Sequence, residues 1–171
     1  NIVEICFFIT KLDNSIIQLN RTKIDLSKLI TDLIAGFKSI AEEKNLNLVL
    51  ELSKENNLII DADAELIRQV LINLIDNAIK YSLENNEILI KCDRNESDVV
   101  YFSITNKSEP IPKEIISKLY ERFYRAEISR NRNLGGVGLG LSVVKQIIDL
   151  HGFIIKIESD EQGYFTAIIL F

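Results

Sequence analysis

The chain has 171 residues, of which 47% are hydrophobic and 26% charged, and its formal net charge is −5. This balance is typical of a globular protein with one core and at most a short appendage. The acidic net charge argues against a nucleic-acid-binding protein, whose surface would be basic. No apolar run reaches the roughly 20 residues that span a bilayer, and we expect no signal peptide, because a charged n-region and a cleavage site are not found in this sequence. The chain contains no Met and opens on Asn1, so we expect it to be a piece of a longer protein.

The first half of the chain predicts two helices and two strands. Apolar residues recur at three- and four-residue steps over residues 1 to about 20, which predicts a helix that belongs to a preceding helical module. A second helix follows Asp25, a plausible N-cap residue. The stretch "LNLVLEL" alternates apolar and polar residues and predicts a half-buried strand, and "NLIID" predicts a short one.

The second half alternates helices and strands. "DAELIRQVLINLIDNAIKYS" predicts a long helix capped by Asp61 or Asp63, and "EILIKC" and "DVVYFSIT" predict strands joined by a polar turn. "PKEIISKLYERF" predicts a short helix, and residues 124–137 predict a mobile loop. The next helix should end at Gly152 in a left-handed conformation, before the strands "FIIKIES" and "YFTAIIL". We therefore predict an α/β fold: a two-layer sandwich in which about three helices cover one face of a mixed sheet, with an N-terminal helical tail.

The two cysteines, Cys6 and Cys92, have no metal-ligand spacing and no disulfide framework around them. Free cysteines of this kind behave as small hydrophobic residues. We therefore expect both to be buried thiols in a reducing compartment.

Two amides interrupt the apolar surface of the long predicted helix. Asn73 and Asn77 are four residues apart and therefore share a face. Burying an amide without a partner costs about 1–3 kcal/mol, so two on one line indicate a ligand, although bonds to neighbouring backbone would explain them equally well. Lys80 and Tyr81 continue the line. An amide oxygen, a cation and an aromatic ring within two turns suit a metal–phosphate group with a stacked base.

The stretch "GGVGLGLS" places four of the chain's seven glycines directly before a predicted helix. It lacks the preceding strand of a dinucleotide fingerprint and the Lys-Ser/Thr ending of a P-loop. Bare backbone N–H groups at a helix N-terminus form an anion site, and a simple hinge is the alternative. Upstream arginines favour phosphate: Arg122, Arg125, Arg130 and Arg132.

Three stretches together resemble the N, F and G2 boxes of the catalytic, ATP-binding domain of sensor histidine kinases. They are "RQVLINLIDNAIKYS", "EPIPKEIISKLYERFYR" and "GGVGLGLSVVKQIIDLHG", in the order and spacing of that family. The resemblance covers about residues 22–171 and implies the Bergerat fold, with ATP between the long helix and a flexible lid. It divides the chain into residues 1–20, the end of the second helix of a dimerisation and phosphoacceptor hairpin, and residues 21–171, the catalytic domain.

The resemblance also implies ATP and Mg²⁺ as cofactors and a role for each matching residue. Asn77 would offer its side-chain oxygen to Mg²⁺, and Phe123 would help anchor the lid. Catalytic roles are implied for residues near the triphosphate or the transferring phosphoryl group: Asn73, Lys80 and Arg125. The implied nucleotide-binding residues are Asn73, Asn77, Lys80, Tyr81, Asn106, Ile111, Arg125, Gly136, Gly138, Leu139, Gly140 and Leu141.

The G1 box departs from the family pattern. Where the family has D-x-G-x-G-I-P, this chain has "NKSEPIP", so that Asn106, Ser108 and Pro110 replace Asp, Gly and Gly. Some members carry a related N-x-G-x-P-I-P form, so the change does not by itself exclude an active site. It leaves open a second function, a degenerate nucleotide-binding or scaffolding module without phosphotransfer.

The family resemblance predicts a phosphotransferase in two-component signal transduction rather than a hydrolase. Hydrolytic relatives of the fold have a Glu at the position of Asn73, and an amide cannot act as a general base. The predicted partners are a phosphoacceptor histidine on the hairpin of the same or a partner subunit and a response regulator, with no nucleic acid. The implied parent protein is a homodimer, with this domain in the cytoplasm and a membrane anchor elsewhere as an option. His151, the chain's single histidine, is expected to cap a helix instead of accepting phosphate.

Overall fold

A computed structural model describes residues 18–53, 58–124 and 138–171. The strands are β1 (Arg21–Asp25), β2 (Asn47–Leu52), β3 (Ile59–Asp63), β4 (Glu87–Arg94), β5 (Val100–Lys107), β6 (Ile154–Ser159) and β7 (Tyr164–Leu170). The helices are α1 (Leu26–Glu42), α2 (Ala64–Tyr81), α3 (Lys113–Ile116) and α4 (Gly140–His151), and a 3-10 turn (Ser117–Tyr120) follows α3. None of the described helices is long and apolar enough to cross a membrane.

The described strands form two sheets. The larger has five strands in the order β2-β4-β5-β7-β6, and the smaller pairs β1 with β3. In the larger sheet β2 runs parallel to β4 and the other neighbours are antiparallel, so the predicted mixed sheet is confirmed. Strand β1 was not predicted, because only Ile24 of its residues is buried and an apolar alternation is therefore missing.

One face of the larger sheet packs against the helices. Alternate residues of β4 and β5 are buried, which is the pattern of strands with one covered face. Cys92 lies on this face, where burial raises the pKa of its thiol to about 12, so its expected burial is confirmed. Cys6 lies outside the described residues. The helices α2 and α4 pack against each other and fill the centre of this layer.

Side chains and glycines define the helix ends. The Asp25 carboxylate accepts a hydrogen bond from the backbone N–H of Lys28, as predicted for an N-cap. Helix α2 is capped by Asp63 and not by Asp61, because the Asp63 carboxylate accepts from the N–H of Leu66. Gly152 ends α4 in the left-handed conformation at φ 75°, as predicted.

Two predicted helices differ from the structure. Residues 18–20 are not helical, because the N–H of Asn20 donates to the Asp63 carboxylate as the chain enters β1. The helix predicted over "PKEIISKLYERF" is only one turn of α-helix followed by the 3-10 turn. The rest of the predicted N-terminal helix, and the predicted loop apart from Tyr124, lie outside the described residues.

Candidate active site

The amide face of α2 lies against the start of α4. A Cβ atom placed on Gly140 would be 3.5 Å from Nδ2 and 3.7 Å from Oδ1 of Asn77, and 4.0 Å from Oδ1 of Asn73. The two amides therefore share one face, as their spacing predicted, and both point at the first residue of α4. Glycine keeps this gap between the two helices open.

The end of α2 also lies beside the end of β5. The N–H of Leu83, just after α2, donates to the carbonyl oxygen of Lys107 at 2.8 Å. Asn106 is therefore near the carboxyl-terminal end of α2, on the helix-facing side of the sheet. Its side chain is 3% exposed, and its Nδ2 has no hydrogen-bond partner among the described residues. A buried amide donor without a partner is costly, and a ligand with an acceptor atom would satisfy it.

Backbone contacts join Phe123 and Tyr124 to Gly138, the described residues on either side of residues 125–137. The N–H of Phe123 donates to the carbonyl oxygen of Gly138 at 3.0 Å. Gly138 has φ 74°, and a Cβ there would lie 2.8 Å from the Tyr124 oxygen, so this position requires glycine. The Phe123 ring is 64% exposed, and it is the backbone of Phe123 that makes the contact with Gly138.

The start of α4 offers backbone N–H groups. Leu139 is buried at the N-cap position, and none of the described side chains caps this end of the helix. Uncapped N–H groups and the helix dipole favour an anion here. Leu141 is partly buried in the first turn. Ile111, from the G1 region, is held by a hydrogen bond from its N–H to Oγ of Ser159.

Lys80 has an ion-pair partner on its own helix. Its ammonium group lies 2.5 Å from the Asp76 carboxylate, one turn earlier on α2. The i, i+4 spacing of an acid and a base was the signal for this pair. Tyr81, which follows, is partly buried at the end of the helix. The remaining predicted site residues lie outside the described residues: Arg125, Gly136, and the alternative arginines Arg130 and Arg132.

An open polar groove lies at the opposite end of β4 and β5 from Asn106. Its lining includes Lys91 and Arg94, together with Glu51, Asp93 and Asp98. The charges are of both signs, and Lys91 is already paired with Glu51. This groove therefore lacks the anion-binding character of the site beside α4.

The described residues thus form a mixed five-stranded sheet covered by helices, with the amides of Asn73 and Asn77 facing Gly140 at the start of α4. Residues 62–171 match the family model described as histidine kinase-, DNA gyrase B-, and HSP90-like ATPase, and the chain belongs to this family. Within it, the chain is an ATP-binding catalytic domain of the sensor histidine kinase type.

Individual relatives agree with this assignment. The chain is 38% identical over 156 residues to the sensor protein VanSC of Enterococcus gallinarum, covering 91% of this chain and 42% of VanSC. It superposes on the catalytic domain of histidine kinase ThkA with a TM-score of 0.76 and 30% identity, covering 88% of this chain and 94% of that one. ThkA in complex with the response regulator protein TrrA gives a TM-score of 0.74 at 28% identity, covering 99% of this chain and 48% of that one. The chain thus spans less than half the length of the curated relatives that it matches.

Proposed function

We propose that this domain holds Mg-ATP and transfers the γ-phosphoryl group to a histidine on a hairpin that precedes it in the parent protein. The observation that carries the proposal is the pair of amides, Asn73 and Asn77, facing the uncapped start of α4. The unpaired amide donor of Asn106 supplies a second polar contact, suited to the base. Residues 1–20 would be the end of the hairpin and residues 21–171 the catalytic domain.

Transfer is favoured over hydrolysis by the side chain at position 73. An amide has no basic site at neutral pH and cannot activate water. The nearby carboxylate of Asp76 is occupied by Lys80. Catalysis would then rest on positioning and on electrostatic stabilisation of an in-line transfer. Lys80 and Arg125 are the cations proposed to approach the phosphates, and Tyr81 would line the nucleotide pocket.

The donor set fits Mg²⁺. No group of three or more His, Cys, Asp or Glu side chains within the described ranges could hold a metal ion. Mg²⁺ commonly takes one or two protein oxygens together with phosphate oxygens and water, and the amide oxygen of Asn77 is such a ligand. When bound, the ion would neutralise charge that develops on the phosphate oxygens.

The acceptor histidine must be supplied from outside this chain. His151 is 4% exposed; its Nε2 accepts from the N–H of Asp63 at 3.0 Å, and its Nδ1 lies 2.8 Å from the carbonyl oxygen of Ile147. A phosphoacceptor needs a free nitrogen within reach of the γ-phosphate. We therefore propose the hairpin of the same or a partner subunit as acceptor, and a response regulator as the next protein in the relay. The proposed parent protein is a homodimer with this domain in the cytoplasm.

The test combines binding and transfer. Calorimetric titration with ADP and ATP, with and without Mg²⁺, should give saturable binding to one site. A hairpin segment that carries the acceptor histidine, added in trans with ATP, should gain an acid-labile phosphate slowly, because positioning is then bimolecular. The domain alone should gain none. Binding without transfer to any hairpin would favour a nucleotide-binding scaffold, rapid ATP hydrolysis would favour an ATPase, and phosphate on His151 would contradict the assignment of the acceptor.

A further inference from the structure

The two helices that face the nucleotide site meet again at their other ends. Asp63 precedes the first residue of α2 and His151 is the last residue of α4, and these two residues are hydrogen-bonded. At about 1.5 Å per residue, the distance along α4 from Gly140 to His151 is about 17 Å. The distances along α2 from Asp63 to Asn73 and Asn77 are about 15 and 21 Å. The helices are therefore antiparallel, and their matching lengths place the amides opposite Gly140.

The hydrogen bonds of His151 require a neutral imidazole ring. Its Nε2 accepts from the backbone N–H of Asp63, so the ring proton is on Nδ1, which donates to the carbonyl oxygen of Ile147. The ring also stacks on Phe153 at 5.4 Å between centroids. Protonation of Nε2 would place two donors opposite each other and break the bond between α4 and α2.

Asn20 and Arg21, near the start of the described chain, form hydrogen bonds at these same helix ends. Arg21 donates from Nη2 to the carbonyl oxygen of His151 at 2.7 Å and from Nη1 to that of Asp61 at 3.0 Å. The N–H of Asn20 donates to the Asp63 carboxylate at 3.0 Å. The guanidinium carbon of Arg21 lies 5.9 Å from the centroid of the Phe153 ring. The first described segment therefore contacts the start of α2 and the end of α4 together.

We propose that Arg21, Asp63 and His151 form a positioning junction that sets the axial register of α4 against α2, and thereby the placement of Gly140 opposite Asn73 and Asn77. His151 and Arg21 act as positioning residues, since neither touches the nucleotide. A loss of the Asp63–His151 bond lets α4 slide along α2 and weakens nucleotide binding at the far end of both helices. The inference depends on the proposed function only in placing the nucleotide at those amides.

Protonation of His151 breaks its bond to Asp63, so both the stability of the fold and, through the register of α4, nucleotide binding should be sensitive to acid. Burial lowers the pKa of His151 below its usual value, Arg21 on β1 lowers it further, and the Ile147 carbonyl and the Asp63 carboxylate oppose this shift. Because the folded pKa is lowered, the contribution of the neutral ring to stability is complete above the unfolded pKa. It is lost progressively as the pH falls below about 6.5, the ordinary pKa of histidine.

The test compares the intact chain with His151→Gln, whose amide offers a donor and an acceptor and does not titrate. ADP affinity is measured between pH 7.5 and pH 5.5, so that titration of the nucleotide itself cancels in the comparison. We expect the wild-type affinity to fall more than that of the variant, by less than about tenfold, because tenfold is the limit for one ring with the ordinary pKa of about 6.5 and the lowered pKa of His151 leaves part of the ring neutral at pH 5.5. In parallel, Arg21→Ala should weaken ADP binding severalfold, and Lys23→Ala, an exposed residue on the same strand, should not.

A second readout does not need the nucleotide. Hydrogen exchange of the α4 amides, referred to those of α1 in the same sample, should accelerate at pH 5.5 in the wild type and not in His151→Gln. If the wild type and His151→Gln have parallel pH profiles in both ADP affinity and α4 hydrogen exchange, the proposed junction is overturned, even when ADP binds normally. No ADP binding at any pH would overturn the proposed function instead, and the exchange data would still decide on the junction. A folded Arg21→Ala variant with unchanged affinity would remove Arg21 from the proposal.

Discussion

The Lys80 ammonium group and the Asp76 carboxylate are 2.5 Å apart on one face of α2, and the two side chains are 35% and 42% exposed. A pair as exposed as this contributes at most about 1 kcal/mol to stability. The carboxylate nevertheless competes with phosphate for Lys80 and adds negative charge near the proposed triphosphate. We expect Asp76→Asn to raise ATP affinity about threefold to tenfold, an effect of roughly 1 kcal/mol, with a similar unfolding midpoint. Calorimetry measures the affinity.

The control for this change is Glu51→Gln. Glu51 forms a comparable exposed pair with Lys91 in the groove at the other end of the sheet. Freeing Lys91 should leave ATP affinity unchanged. Weaker ATP binding by Asp76→Asn would mean that Asp76 positions Lys80 and does not compete for it.

The buried amide of Asn106 predicts a weak preference between adenine and guanine. The unpaired Nδ2 donor suits the O6 acceptor of guanine, and a half-turn of the amide would let Oδ1 accept from the N6 donor of adenine. A carboxylate only accepts and therefore discriminates against guanine. Asn106→Asp should widen the ratio of ADP to GDP affinity by about 1–3 kcal/mol. Paired titrations of both proteins measure the ratio.

Asn85→Asp is the matched control for the Asn106 variant, because it adds the same charge at an exposed position after α2. Its ADP to GDP ratio should equal that of the wild type. An equal or narrower ratio in Asn106→Asp would place the choice of base elsewhere in the pocket.

Asn77→Ala should remove the Mg²⁺ dependence of ATP binding. The amide oxygen of Asn77 lies 3.7 Å from where a Cβ of Gly140 would be, and an oxygen ligand suits a hard cation. Titrations with ATP at several Mg²⁺ concentrations measure the effect. Asn73→Ala, on the same face, should weaken ATP binding and keep its Mg²⁺ response. Asn77 would be a structural amide if its variant bound ATP with wild-type affinity and an unchanged Mg²⁺ response.

Gly138→Ala should disrupt the contact of Gly138 with Phe123 and Tyr124 and reduce ATP affinity. The new Cβ would lie 2.8 Å from the Tyr124 oxygen and 2.9 Å from the Phe123 carbonyl carbon, at φ 74°. An alanine in the left-handed backbone conformation costs about 1–2 kcal/mol before the clash is counted.

Gly36→Ala is the control for this change, because Gly36 is inside α1 and nothing lies within 4 Å of a Cβ placed there. It should stabilise the domain by about 0.5–1 kcal/mol. Thermal unfolding and ATP titration of both variants check the prediction. If Gly138→Ala and Gly36→Ala have the same unfolding midpoint and the same ATP affinity, position 138 does not require glycine.

Elements whose signals are local could be predicted from the amino-acid sequence. The apolar period of α2, the Asp25 cap and the Gly152 ending each depend on residues within a few positions of one another, and so does the shared face of Asn73 and Asn77. The family followed from three linked motifs in order. The choice of Asp63 over Asp61 as a cap was not local, because β3 continues to Asp63 by pairing with β1.

Features that depend on residues far apart in the chain could not be predicted from local patterns and became visible only in the fold. Strand β1 has one buried residue, and it exists because its backbone pairs with β3 about 40 residues later. The sequence predicts that the His151 ring caps the end of its own helix, and its bond to the Ile147 carbonyl oxygen agrees with this. Its second bond, to Asp63, joins residues 88 positions apart. No local pattern encodes such a bond, because the packing of two antiparallel helices creates it.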